Sequence, residues 1–242
     1  VSEKKIDLIA QLLAKAESTT PEEAEALTQH AERLMVKYMI DQATVDARRA
    51  KAGQQQEAII EHQIEFRGVY RGEMINLASQ VVYGLGSLRG MQYTGSGSTF
   101  VFWVVGFESD VAQAVTLINS LQIQATVAVR DWWKKYSTAY NMLPPYDQEK
   151  QRRSFVHGFG TGAGSRIRES RKVVISEAAA GTELVLVDRS AQVQAYIETK
   201  RTRRARARTA TRGGAAAGYG YQAGKQSNTG GTGIGSGRKE LS

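Results

Sequence analysis

Six arginines crowd the twelve residues 201–212 (Arg201, Arg203, Arg204, Arg206, Arg208 and Arg212), with no acid among them. A guanidinium stays charged at any physiological pH and meets phosphate oxygens through paired N–H donors, so arginine at this density suits a polyanion. Lys200 precedes the run, and Tyr219, Tyr221 and Lys225 follow it among glycines. If the helix before the run continues through it, Arg201, Arg204, Arg208 and Arg212 share one face, flanked by Arg203 and Arg206. The tyrosines add flat rings on which unpaired bases can stack. The chemistry implied for these ten residues is binding of nucleic-acid phosphate, driven by counterion release and blind to base sequence. Two other readings stand beside it: a different anionic or protein partner, and a solvated tail that meets only water or the protein's own acids.

The charge distribution sharpens the point. The 242-residue chain carries a formal net charge of +8, yet residues 200–242 hold ten basic residues and one acid, Glu240. The remaining residues are nearly balanced, with 22 basic and 23 acidic side chains. Blocked charge of this kind speaks to partners rather than to fold. A second basic group, Lys150, Arg152, Arg153, Arg166, Arg168, Arg171 and Lys172, either joins the same surface or forms a solvated helix face interrupted by Glu149 and Glu169.

Other chemistry is weakly signalled. Cysteine is absent, which excludes disulfides and thiolate chemistry. His30, His62 and His157 form no zinc-ligand spacing, and His62 is expected as a buried strand histidine. Gly158-Phe159-Gly160-Thr161-Gly162-Ala163-Gly164 matches a loose dinucleotide pattern, but no apolar strand precedes it. Glycines four apart (Gly158 with Gly162, Gly160 with Gly164) instead suit a helix that packs closely. The terminal glycines 230–237 lack phosphate-loop spacing and read as a flexible end. Asp147 with Glu149, or Asp188 alone, could belong to a nuclease-like metal site, although nothing in their spacing singles them out, and Glu57, Glu61 and Glu65 read as a solvated strand face. Trp103, Trp132 and Trp133 are expected in packing. No catalytic residue, metal or cofactor is assigned.

The elements that must position these residues follow from periodicity. Ile6, Ile9, Leu13 and Ala16 predict a first helix, and Thr20-Pro21-Glu22-Glu23 has the cap, proline and glutamate of a second helix start, together a helical hairpin. Residues 41–56 read as a third helix or a linker. Ile60, His62, Ile64 and Phe66 alternate as a strand; Met74, Leu77, Val81 and Leu85 return to helix spacing, stopped by Gly84 and Gly86. Met91 to Phe107 reads as a hairpin whose second strand, apolar on both faces, is central. Long helices are predicted over 111–132 and 148–176, a short strand over Leu184–Val187, and a helix from Ser190 to about Arg208. The fold class is α+β: an N-terminal helical hairpin (1–56), a small mostly antiparallel or mixed sheet packed with long helices (57–199), and a basic Arg/Gly-rich low-complexity tail (200–242).

Residues Lys5-Ile6, Leu12 to Thr19, Pro21 to Ala26, Leu34-Met35, Lys37-Tyr38 and Ile40-Asp41 resemble the domain of unknown function numbered 2786. Val105-Gly106-Phe107, Phe155 with Gly158-Phe159 and Gly162, and Tyr221 with Gly224-Lys225 are similar to the region that follows it. The resemblance implies a phage or bacterial accessory protein and supplies no catalytic residues. No apolar run reaches the ~18–20 residues that span a bilayer, so a cytoplasmic location is expected, in the host if phage-encoded. The leading expectation is a non-enzymatic nucleic-acid-binding protein. The rivals are an adaptor or host-takeover factor with a protein partner docked on the N-terminal helices, and a metal-dependent nuclease.

Overall fold

The computed structural model describes residues 8, 9, 11, 12, 15, 21–53, 57–93, 99–178, 180–200 and 213–227. Its helices are α1 (Pro21–Lys51), α2 (Arg71–Leu85), α3 (Glu108–Tyr136), α4 (Pro145–Ser176), α5 (Thr182–Glu198) and α6 (Ala215–Lys225). Its strands are β1 (Ile59–Phe66), β2 (Arg89–Tyr93) and β3 (Phe100–Phe107). Thr20 and most of the first predicted helix lie outside the described residues; residues 8, 9, 11, 12 and 15 are helical, and Ile9 enters the main core.

The sheet runs β1-β3-β2, antiparallel throughout, with Ile64 opposite Phe102 and Met91 opposite Trp103. β3 is central, as its two apolar faces require. Phe102 and Val104 face the main core with Met74, Leu77, Val81, Ile118 and Leu121 from α2 and α3. Val105 and Phe107, on the alternate face, meet Val193, Tyr196 and Ile197 of α5. Strand alternation thus places helices on both sides of three short strands. His62 is exposed rather than buried, because β1 is an edge strand and its middle is left uncovered.

Several elements differ from the periodicity reading. α1 continues unbroken to Lys51, since Ile40, Ala43 and Asp46 keep a buried stripe that its polar composition conceals. Leu184–Val187 is not a strand but the first turns of α5: Leu186, Arg189 and Val193 are buried at helical spacing, while Leu184 and Val187 are exposed. A short apolar run of this length cannot by itself distinguish the two states. Gly84 does not stop α2; it lies inside the helix, close against Ile167. Gly86 ends it, with φ of 79° and its N–H donated to the Val82 carbonyl.

α4 is the pillar of the fold, and its glycines explain why. An added Cβ on Gly160 would lie 2.9 Å from Leu77 of α2, and one on Gly158 only 2.1 Å from the Ala217 carbonyl of α6. Gly220 and Gly224 of α6 reciprocate against the Phe155 and Phe159 carbonyls. Residues 213–227, which composition places in a low-complexity tail, are therefore part of the packed body. The glycine run is mid-helix, so it is not the strand-to-helix turn that a dinucleotide loop requires.

This contrast yields a paired prediction. Gly220→Ala should destabilise the protein by about 1–3 kcal/mol through overpacking. Gly218→Ala, with nothing within 4 Å of its added carbon, should stabilise by up to about 1 kcal/mol from helix propensity. Urea denaturation of both variants checks the signs; matching effects would mean that α6 is not docked through its glycines.

Candidate functional site

The basic segment is held between two anchored points. α5 ends at Glu198 with Thr199 as its cap, and the part of the expected helix from 201 to about 208 falls outside the described residues. Arg201, Arg203, Arg204, Arg206, Arg208 and Arg212 lie outside the described residues. Just before them, the Lys200 ammonium lies 2.7 Å from Glu61 and 4.8 Å from the Tyr196 ring centroid, and the Tyr196 hydroxyl donates to the same carboxylate. The bonds from Lys200 and Tyr196 hold Glu61 below its ordinary pKa. Just after them, α6 docks on α4. Lys225 pairs with Glu169 at 2.6 Å, lowering that carboxyl's pKa, and the Tyr221 hydroxyl reaches Ser165. Tyr219 stacks on Tyr136 with 5.0 Å between ring centroids.

Of the ten residues named from sequence, Lys200 and Lys225 thus have internal carboxylate partners, and Tyr219 and Tyr221 sit on a packed helix. The second basic group is largely occupied as well. Arg153 pairs with Glu149 at 2.7 Å, Arg166 donates to the Lys225 carbonyl, and Arg168 donates to Gln80 and lies over the Tyr83 ring. Arg171 packs on Gly86 and its pKa is lowered by burial. Lys150 and Lys172 are exposed.

Sequence reasoning passed over the most concentrated charge in the body. Arg189, buried on the apolar stripe of α5, donates to Asp46 of α1 at 2.7 Å, Asp110 of α3 at 3.0 Å and Glu57 at 2.8 Å. Its guanidinium lies 3.8 Å from the Phe107 ring centroid. Glu57 also accepts from the Ser109 backbone N–H and hydroxyl, so it does not lie on a solvated face as alternation suggested. Although burial opposes their charges, the arginine's pKa is raised by its carboxylates, and Glu57 is held below its ordinary value by Arg189 and Ser109. Asp110 behaves oppositely: burial pushes its carboxyl up, against the pull of Arg189. A cleft of about 200 Å³ between α1 and α5 opens beside this cluster, lined by Asp46, Lys51, Asp188 and small apolar side chains. A larger cleft of about 460 Å³ lies among α2, β2 and α5, lined by Tyr83, Leu88, Arg89 and Ser190.

Among the described residues no group of three or more His, Cys, Asp or Glu side chains is placed to hold a metal ion. Of the nuclease candidates, Asp147 lies in the first turn of α4, Glu149 pairs with Arg153, and Asp188 accepts from Gln192. Also among the described residues, no helix is long and apolar enough to cross a membrane.

These features define an α+β protein with a buried ion cluster and an arginine-rich segment tied to the body at both ends. The family described as protein of unknown function (DUF2786) matches residues 4–42, so the chain carries an N-terminal domain of that family. No curated protein and no solved structure matches the chain.

Two predictions follow from the ion cluster. Arg189→Met leaves three carboxylates without their cation and should cost about 3–5 kcal/mol in urea denaturation. Asp110→Asn tests the raised pKa. The native aspartate holds a proton at pH values where the unfolded chain has lost it, so wild-type stability gains on acidification through that window. The stability difference between wild type and Asp110→Asn should therefore grow in favour of wild type as pH falls from neutral toward the ordinary aspartate range. A difference independent of pH would show the group to be unshifted.

Proposed function

We propose that this chain is a non-enzymatic nucleic-acid-binding accessory protein of phage or bacterial origin, acting in the cytoplasm and gripping phosphate through the arginine segment 201–212. The observation that carries this reading is six arginines in twelve residues without an acid. The anchoring at both ends adds to it. Lys200 pairs with Glu61 just before the segment, and α6 docks on α4 shortly after it, so both flanks are set by the packed body. The body competes weakly for the ligand, since many of its own cations are committed to internal partners.

Truncation after Thr199 would strip α6 from its groove as well as the arginines, so the informative variant keeps the full chain and replaces all six by glutamine. Fluorescence anisotropy with labelled duplex across a salt series should show steep salt dependence for wild type. In the variant the slope of log affinity against log salt should flatten by about five, the counterion release expected of six phosphate contacts. An unchanged slope would remove the arginines from the binding surface.

A further inference from the structure

Around Tyr219 the fold gathers aromatic rings from three helices and a turn. Trp132, Trp133 and Tyr136 lie at the end of α3, Tyr140 in the 3-10 turn that follows, Phe155 on α4 and Tyr219 on α6. Trp132 is buried and stacks on Phe155 at 4.9 Å, forming a floor. Two stacked pairs lie on it: Tyr136 with Tyr219 at 5.0 Å, and Trp133 with Tyr140 at 5.8 Å. Tyr219 remains 46% exposed, and Trp133, Tyr136 and Tyr140 are half-buried.

Cations border these rings. The Lys135 ammonium lies 5.2 Å from the Tyr136 centroid, and the Arg152 guanidinium 4.8 Å from that of Trp133. Among the described residues neither pairs with a carboxylate, and neither do the exposed Lys134 and Lys150 on the same two helices. A cluster serving only to dock α6 needs the rings but not the unpaired charge. Half-exposed rings beside free cations complement a polymer that carries flat bases on an anionic backbone. Connectivity points the same way, because Arg212 stands two residues before Gly214, the cap of α6, and Tyr219 is on that helix's second turn. A duplex keeps its base faces within its own stack, whereas a single strand can offer them.

We propose that Trp133, Tyr136 and Tyr219, with Lys135 and Arg152, form a base-stacking platform that makes single-stranded nucleic acid the preferred ligand of this protein. The proposal rests on the phosphate-binding reading above and adds strand preference to it. Its test is anisotropy of the full chain with labelled oligo-dT, oligo-U and a duplex of equal length, read together with intrinsic tryptophan fluorescence. Wild type should bind one or both single strands about 10-fold or more tightly than duplex, with quenched tryptophan emission. Tyr219→Leu, which keeps an apolar side chain on Tyr136, should lose about 5-fold or more of single-strand affinity and little for duplex. Lys135→Gln, an exposed change that leaves the packing alone, should weaken single-strand binding and quenching in the same direction, and it carries the test if the Tyr219 variant fails to fold. Equal affinity for single strand and duplex with unquenched emission would overturn the platform while leaving the arginine segment's role standing. Binding to none of the three would overturn both.

Discussion

Arg189 binds three carboxylates that arrive from three separate stretches of chain: Asp46 on α1, Glu57 just before β1 and Asp110 at the start of α3. A buried guanidinium tolerates desolvation only when its donors are taken up by charged acceptors, and buried carboxylates impose the reciprocal condition. Each partner therefore depends on the positions of the others. Satisfying this set places α1 beside α5, and α5 on the face of the sheet opposite the main core. Phe107, under the guanidinium, ties the cluster to the central strand. Such a cluster adds little net stability over a well-packed apolar alternative; its effect here is to make other arrangements of the helices leave charge unpaired.

α4 supplies the second constraint, by close approach rather than charge. Its glycines let the backbone of α6 come within contact on one side and α2 on the other. The two constraints converge on the arginine segment. The ion cluster sets where α5 delivers Lys200, and the glycine groove sets where α6 takes the chain up again. The same docking of α6 brings Tyr219 onto Tyr136, so a packing feature and a candidate binding feature share one cause.

Much of this was legible from residue patterns. The central strand was evident from its apolar run, α3 from its stripe of Val111, Val115, Ile118, Leu121 and Val129, and the packing role of the α4 glycines from their spacing of four. Arg189 left a faint signal, a charged residue between Leu186 and Val193 on a buried stripe. Asp46 on α1 left a similar one. Misreading Leu184–Val187 as a strand broke that stripe and hid it. α6 was obscured because alanine and glycine report low complexity until a second glycine-rich helix is there to receive them.

By itself the sequence determined the local period of most elements, the absence of thiol chemistry and the gathering of positive charge near the C-terminus, because these depend on neighbours or on composition. Only the tertiary structure decided which charges are already answered. Lys200 meets Glu61, Lys225 meets Glu169 and Arg189 meets its three acids across separations of 56 to 143 residues. Whether a cation faces a partner or solvent is set by which elements pack together, and no pattern along the chain encodes that distance.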